Sequence, residues 1–508
     1  MNQSTSVTDT SFFGHPKGLM ILFLTEMWER FSYYGMRALL IFYLTQHFLF
    51  GREKAYLIYG AYTALVYVAP VIGGLLADKY LGSRKAVVFG AILLVAGHFG
   101  MAFEGPTAVA SATGEVVRNP LYLNIFYLSL ALIISGVGFL KANISTIVGA
   151  LYEKGDRRRD AGFTLFYMGI NLGAAAGAIL AGWLGQTYGW KYGFGLAGIG
   201  MLAGLVVFLK GQPLLMGRAD PPDTQKLVAK SPIGLSNEWT IYIGTLLGVV
   251  VIWKLIQYQE LVGTLLGIFG LAVVIGILVF SFTKCTKEER DQMIMALMLM
   301  IFSILFWALF EQAGSSLNLY TDEAVNRTIF GIDVPASVFQ SINAIYIVIF
   351  GPVFAALWLY LGKRDKEPSI PAKFGMGLIL LGLGFLVLVW GANGADGLKT
   401  PVIFIFLIYL LHTFGELCMS PVGLSAVTKL SVPRVVGLMM GTWFLASATG
   451  NFAASMIARM TAGVDGEVSD PAKVLEVYNQ VGLMSIGAGI AILILTPLVF
   501  KRLMHGVR

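Results

Sequence analysis

Charged side chains inside long apolar runs are the residues of this sequence most able to do chemistry. The first apolar run, residues 17–49, contains Glu26, Glu29, Arg30 and Arg37. Together with Tyr33 and Tyr34, these residues recur at spacings of three, four, seven, eight and eleven, which places them on one face of a helix. Because a charge at the centre of a bilayer costs about 3 kcal/mol or more, that face must line a cavity or pack against partner charges.

Three further apolar runs carry charges of the same kind, namely Lys141, Glu311 and Glu416. Counted with the first run, the set holds three cations and four anions, so one carboxylate lacks a cation. A carboxylate removed from water without a cation binds a proton more readily than one in water. The sequence therefore predicts reversible proton binding, and static salt bridges within a helix bundle are the alternative.

The elements that position these charges are membrane-spanning helices. Of the 508 residues, 56% are hydrophobic and 13% are charged, about half the charged fraction of a soluble domain. A spanning helix needs about 20 apolar residues, so the sequence predicts an all-α polytopic membrane protein. We predict fourteen transmembrane helices, at about 17–49, 55–78, 85–104, 120–150, 160–186, 190–210, 239–257, 260–283, 290–321, 336–362, 372–391, 399–430, 434–463 and 475–502.

The loops indicate orientation and domain organisation. Most of the 36 Lys and Arg residues lie in one set of alternate loops, which predicts that this side, with both termini, is cytoplasmic. The longest polar connection separates six spans from two spans that are almost free of charge. We predict an N-terminal six-helix bundle (1–210), a cytoplasmic linker (211–238), an accessory helix pair (239–283) and a C-terminal six-helix bundle (284–508).

The direction of each span places its charge at a depth. Arg37 and Glu311 each lie about 30 Å along a helix that starts on the cytoplasmic side, so both belong in the outer half. Lys141 and Glu416 lie near the middle or toward the cytoplasm. The four residues occupy the first and fourth helices of each predicted bundle. One ion pair nearer each face, bridging the two halves, is what alternating access requires.

Several function classes are disfavoured by the sequence. Two cysteines, Cys285 and Cys418, cannot form a disulfide framework. We find no metal-ligand cluster, nucleotide-binding loop or nucleophile–base arrangement, so we expect no enzyme activity, no metal and no cofactor. The net charge of +7 is spread over short loops, which argues against a nucleic-acid partner. His98 and His412 are interpreted as hydrogen-bonded helical histidines.

Three motifs resemble those of a known family. They are Glu26-x-x-Glu29-Arg30-Phe31-x-Tyr33-Tyr34-Gly35, then Phe166-Tyr167-Met-Gly-Ile-Asn171-Leu-Gly173, then Gly415-Glu416-Leu-x-x-Ser420-Pro421-x-Gly423. In this order they resemble the proton-dependent oligopeptide transporter family (POT or PTR) of the major facilitator superfamily, and the inserted helix pair is similar to that of bacterial members. The resemblance implies a major facilitator fold and proton-coupled import of di- and tripeptides by alternating access across a bacterial cytoplasmic (inner) membrane.

The resemblance also implies roles for individual residues. Arg37 and Lys141 would face the peptide carboxylate. The peptide amino group would face Asn171, Asn343 and Glu416. Side-chain pockets would be shaped by Tyr33, Tyr34, Tyr67, Trp307, Trp443 and Ser447. Proton coupling would use Glu26, Glu29 and Arg30, with Glu311 pairing Arg37.

One position departs from the family pattern. Animal members carry a histidine seven residues before the tyrosine that matches Tyr67, and here that position is Gly60. Proton coupling would therefore rest on carboxylates. Two alternatives within the superfamily stay open, a proton-driven exporter of drug-like solutes and a carrier of nitrate or another small anion. The intramembrane cations argue against the exporter, and Glu416 favours a substrate with an amino group.

Overall fold

The computed structural model describes residues 10–111, 114–153, 156, 158–463 and 470–506. Residues 1–9 and 507–508, which the sequence analysis assigned to the cytoplasmic side, lie outside this set. The described chain is almost entirely helical. Its α-helices are α1 Lys17–Phe42, α2 Arg52–Leu76, α3 Gly82–Met101, α4 Pro120–Ala150, α5 Arg159–Tyr188, α6 Trp190–Gly211, α7 Thr224–Val228, α8 Asn237–Leu255, α9 Gln259–Lys284, α10 Lys287–Phe310, α11 Ser316–Ala324, α12 Ser341–Gly362, α13 Ile370–Asn393, α14 Ile403–Leu430, α15 Val436–Met460, α16 Pro471–Leu495 and α17 Lys501–Leu503.

Single turns of other helix types extend or join these helices. π-Helical turns occupy Tyr43–His47, Ala77–Leu81 and Thr496–Phe500, and 3₁₀ turns occupy Gln212–Leu215, Glu311–Gly314, Ala336–Gln340 and Pro433–Val435. The short strands are β1 Thr10–Phe12, β2 His15–Pro16, β3 Val109–Ala110, β4 Val116–Val117, β5 Val325–Asn326, β6 Thr328–Ile329, β7 Ile332–Asp333 and β8 Thr400–Pro401. β5 and β8 pair in parallel, whereas β1–β2, β3–β4 and β6–β7 are antiparallel.

Eleven segments of the described residues are long and apolar enough to cross a membrane. One of them, Arg52–Met101, holds both α2 and α3. α1 is not among the eleven because it carries five charged residues, and α15 is not because it is rich in small and polar residues. With these helices included, the described chain has fourteen helices of 19 or more residues, as the sequence predicted.

The chain forms two compact units. The first unit comprises Met1–Met36, Ala69–Pro106 and Asn119–Lys254, and the second comprises Arg37–Val68, Thr107–Arg118 and Leu255–Arg508. The division of the sequence into two bundles, a linker and an accessory pair stays a prediction.

Small residues let the helices of the first unit approach closely. A Cβ atom added at Gly90 of α3 would lie 2.6 Å from the carbonyl oxygen of Gly136 of α4. Such contacts are typical of helix pairs in membranes, where packing rather than water release drives association.

The second unit is built around large apolar side chains. Phe306, Phe374, Phe385 and Tyr478 are fully buried in one continuous cluster. This core joins α10 to α13, α14 and α16, and it holds the helices that carry Glu311 and Glu416.

Candidate functional site

Arg30 lies between two carboxylates in the first unit. Its Nε atom is 2.8 Å from Oε1 of Glu26 and 2.6 Å from Oε2 of Glu29. All three side chains are buried, and Glu29 is fully inaccessible. Within the part of the chain that the structure describes, both oxygens of Glu29, the second oxygen of Glu26 and one Arg30 nitrogen have no hydrogen-bond partner. One guanidinium therefore serves two buried carboxylates.

Glycines of α5 hold α1 in place beside this group. A Cβ atom at Gly173 would overlap the carbonyl oxygen of Met27 and lie 3.1 Å from Cβ of Arg30. Gly177 is packed in the same way against the backbone of Phe31. The second motif thus supplies the close helix contact that fixes the direction of Arg30, a role that the sequence analysis did not assign to its glycines.

The remaining predicted residues of the first unit lie on α1, α4 and α5. Tyr33 and Tyr34 form an edge-to-face pair with ring centroids 5.2 Å apart, and the Arg30 guanidinium lies 5.7 Å from the Tyr33 ring. Lys141 is half-buried and is close enough to Glu29 for a Coulomb interaction. Asn171 is buried and donates to the carbonyl of Tyr167 at 3.0 Å. The structure thus places the four predicted residues Tyr33, Tyr34, Arg30 and Lys141 near Glu29 or near each other.

Arg37 is the centre of a second charged group, in the second unit. It forms an ion pair with Glu311, and its Nε atom donates to the hydroxyl of Tyr59 at 2.7 Å. Arg37 is 7% exposed and Glu311 is 5% exposed. Gly314 makes room for this arrangement, because a Cβ atom there would overlap the Tyr59 hydroxyl and lie 3.2 Å from Arg37.

Glu311 stands where a helix breaks. The predicted span 290–321 lies within one helical segment, Lys287–Ala324, in which α10 ends at Phe310 and a 3₁₀ turn precedes α11. Gln312 stabilises the break by donating to the carbonyl of Ala454 at 2.9 Å and accepting from Ser316 at 2.6 Å. Ser316 in turn lies 2.7 Å from the hydroxyl of Tyr478. Gln312 also donates to the carbonyl of Ala308 at 3.0 Å, which satisfies a backbone group beside the break in an apolar surrounding.

Further contacts of the second unit join residues 37–68 to residues 311–324. Asn318 donates to the carbonyl of Ala38 at 3.2 Å, Gln46 donates to Asp322 at 3.2 Å, and Arg52 forms an ion pair with Glu323. The Arg37–Glu311 pair is therefore one layer of a longer polar contact.

Glu416 forms a separate polar group on α14. Asn343 donates to Glu416 at 2.9 Å and to the hydroxyl of Thr413 at 3.0 Å. Glu416 is half-buried, and among the described residues it takes part in no ion pair. Asn343 thus orients the carboxylate without neutralising its charge.

The predicted aromatic residues of the second unit are packed in place. Trp443 lies in the main core and covers Gly423, and Ser447 donates back to the carbonyl of Trp443 at 3.1 Å. Trp307 is half-buried and stacks edge-on against Phe306 and Phe310. Tyr67 is also half-buried.

Three positions bear on the expectations for histidine, namely Gly60 in place of the histidine of animal members, and the helical residues His98 and His412. A Cβ atom at Gly60 would overlap both the Cβ and the Oγ atoms of Ser455, so a histidine does not fit there without displacing α15. His412 lies 3.1 Å from the carbonyl of Leu381, as expected. His98 differs from the expectation, because neither ring nitrogen has a hydrogen-bond partner among the described residues.

Sequence reasoning missed the neutral residues that orient the charged ones. Tyr59, Gln312 and Thr413 are uncharged members of apolar runs, and nothing in their spacing marks them. The charged residues could be found because each is costly in a membrane, whereas a tyrosine or threonine is not.

The chain is similar to known proteins over most of its length. The family model described as the POT family (PTR2) matches residues 84–476. The uncharacterized transporter YclF of Bacillus subtilis is 39% identical, over 99% of this chain and 98% of its own length. The peptide transporter YePEPT of Yersinia enterocolitica is 35% identical, over 97% and 96%. A dipeptide and tripeptide permease B of Aliivibrio fischeri is 31% identical, over 96% and 95%.

Solved structures resemble this one over nearly the whole chain. A peptide transporter POT in complex with sulfate matches with a TM-score of 0.83 at 36% identity, over 98% of this chain and 97% of that one. A variant of peptide transporter POT in complex with alafosfalin also gives 0.83 at 36% identity, over 98% of each chain. The expected all-α polytopic membrane protein with a major facilitator fold is confirmed.

Proposed function

The chain belongs to the POT family, a family of membrane transporters, and we propose that it imports di- and tripeptides together with protons by alternating access. It would do so in a bacterial cytoplasmic membrane, with both termini on the cytoplasmic side, without enzymatic activity and without a cofactor. The names of the relatives support the peptide substrate, and the basic loops support the orientation.

The observation that carries the substrate class is the state of Glu416. Its carboxylate is held by Asn343 and has no ion-pair partner in the described residues. A half-buried charge of this kind is costly unless a cation approaches it. The amino group of a peptide would supply that cation, with Asn343 and Asn171 as further polar contacts.

The opposite end of the peptide needs a cation. Arg37 and Lys141 are the candidates, and a carboxylate bound to a guanidinium or ammonium group gains charge-assisted hydrogen bonds. In this structure Arg37 is already paired with Glu311, so a peptide carboxylate would compete with Glu311 for it. That exchange would link peptide binding to the contact between residues 37–68 and 311–324.

The aromatic residues would allow the site to accept peptides with different side chains. Tyrosine and tryptophan offer large contact areas that fit many partners. Tyr33, Tyr34, Tyr67, Trp307 and Trp443, with Ser447 beside the last of them, would shape the pockets for peptide side chains.

Proton coupling would use the Arg30 group. Two buried carboxylates share one guanidinium, so a proton on one of them leaves Arg30 with a single anionic partner. Protonation of one carboxylate would free Arg30 to pair fully with the other and shift the balance between conformations.

The test is uptake of labelled dialanine by liposomes that contain the pure protein. We expect accumulation with an inward proton gradient and only equilibration without it. Glu416→Gln keeps the side-chain shape and the capacity to bond Asn343 but removes the charge, and it should lower uptake at least tenfold. Uptake of nitrate or a drug-like cation instead of dialanine would contradict the proposal.

A further inference from the structure

Accessory helix α9 packs against the second unit along its C-terminal half, which the predicted orientation places on the cytoplasmic side. Ile277 is 1% exposed and belongs to the main core, against which Val273, Val274 and Leu278 also pack. Nearer the other end, a Cβ atom at Gly263 would overlap the ring of Phe452 on α15. These contacts fix α9 to the C-terminal helices of the unit.

The beginning of α9 also contacts α2. Val262 and Leu266 form one buried cluster with Ala61 and Ala64 of α2 and with Ala448 of α15. The two alanines are fully buried, and their small side chains let α9 lie close to the α2 backbone. Tyr67, a proposed peptide-binding residue, packs against the same cluster.

A polar contact completes this attachment. Lys54, at the start of α2, donates to the side-chain oxygen of Gln259 at 2.6 Å, and Gln259 donates to the carbonyl of Ile256 at 2.6 Å. Gln259 is 2% exposed, whereas Lys54 is exposed. Beside this contact lies a cavity of about 690 Å³ that is lined by Arg52, Lys54, Tyr258 and Glu260 among others. Because the cavity is open to water, Lys54 can be hydrated when the contact breaks.

From these contacts we propose that α9 is a brace that holds the outer side of the transporter closed. Its inner half stays with α10 and α15, and its outer end binds α2 only while residues 37–68 lie against residues 311–324. Opening the outer side would move α2 away from α15 and break the Lys54–Gln259 contact together with the alanine cluster. This assigns a function to an accessory helix that the transport mechanism does not itself require.

The inference rests on the proposed function only in assuming that the outer side opens and closes. The primary variant is Lys54→Ala, because Lys54 is exposed and its loss should not affect folding. Spin labels at Gly51 and Leu398, both exposed, would report the separation of α2 from the C-terminal helices by double electron–electron resonance. We expect Lys54→Ala to raise the ratio of long to short distances about three- to tenfold, and Lys54→Arg to keep the original ratio.

Lys473→Ala is the matched control, since Lys473 is exposed and its side chain makes no hydrogen bond or ion pair with another described residue. It should leave the distances unchanged. If Lys54→Ala and Gln259→Ala both leave them unchanged, the brace is refuted. This measurement needs neither peptide nor proton gradient, so a chain that carried another solute would still give the expected result.

A crosslink provides an independent test. Lys54→Cys combined with Gln259→Cys, with Cys285 and Cys418 replaced, would lock α9 to α2 on oxidation. We expect uptake to fall at least tenfold and to return on reduction. Undiminished uptake by the oxidised protein would show that α9 travels with α2 and would overturn the proposal.

Discussion

Glu29 is the carboxylate that we expect to carry the coupling proton. Oε1 of Glu26 and Oε2 of Glu29 both lie against Nε of Arg30, so these two oxygens are at most about 5.4 Å apart. With an effective dielectric constant of about 20, their repulsion is about 3 kcal/mol, or about a hundredfold in favour of neutralising one of them. Glu26 makes a well-aligned hydrogen bond to Arg30, whereas neither oxygen of Glu29 makes one with a described residue. The proton should therefore reside on Glu29.

Glu29→Gln imitates the protonated form permanently. In liposomes with an inside-negative potential of about 100 mV, one charge moving inward releases about 2.3 kcal/mol, enough for about a fiftyfold accumulation of a neutral dipeptide. The wild-type chain should approach that ratio with labelled dialanine. Glu29→Gln should stop near a ratio of one and still exchange labelled for unlabelled peptide between equal pools.

The matched control is Glu26→Gln, one turn away on the same helix. It leaves Arg30 paired with Glu29 alone, so it should lower accumulation less than Glu29→Gln does. Uphill accumulation by Glu29→Gln at the wild-type level would refute the assignment. In that event Glu311 and Glu416 become the next candidates.

Four further predictions follow from the contacts and charges described above. Lys141→Ala should abolish proton-driven uptake of dialanine. Wild-type accumulation by this variant would contradict the role proposed for Lys141 in binding the peptide carboxylate. Gly60→Ala should lower the thermal stability of the purified protein by about 1–3 kcal/mol because it overpacks the α2–α15 contact; Ser455→Gly should restore it, and an unchanged unfolding temperature for Gly60→Ala would contradict this. Cysteines at 37 and 311 should crosslink in the outer-closed state, and their failure to crosslink in any condition would remove that pair as a gate. Current measured on supported membranes should show one charge moved per zwitterionic dipeptide, and a ratio of two would be inconsistent with a single proton site.

The sequence predicted the helices and the buried charges because both are dictated by the bilayer. Apolar length marks a spanning helix, so α9 was expected at 260–283 and is found at Gln259–Lys284. A charge in such a helix needs a partner, which is why Arg37 and Glu311 could be singled out before their contact was seen. The break after Phe310 was not predicted, because Gln312, Gly314 and Ser316 form no pattern that separates them from an ordinary helix.

Other features could not be predicted because they depend on contacts between residues that lie far apart in the sequence. The hydrogen bond between His15 and Tyr152, 2.8 Å long, holds the β1–β2 hairpin near the end of α4, and burial raises the pKa of Tyr152 to about 12. Residues 10–16 carry no signal of this pairing. The second motif, on α5, could be recognised from the sequence. The reason for its glycine at 173, which is the close approach of the α1 backbone, could not.

The buried charges can be added up over one transport cycle. The apolar helices hold three cations against four anions, namely Arg30, Arg37 and Lys141 against Glu26, Glu29, Glu311 and Glu416. With one proton bound the set is neutral, and a zwitterionic peptide adds no net charge. The loaded protein can then rearrange without carrying a net buried charge through a region of low dielectric. After the proton leaves, the set carries one negative charge, and an inside-negative potential favours the return of that charge toward the outside. The membrane potential would thus act on the return of the empty carrier, and through the surplus carboxylate it would favour import over export.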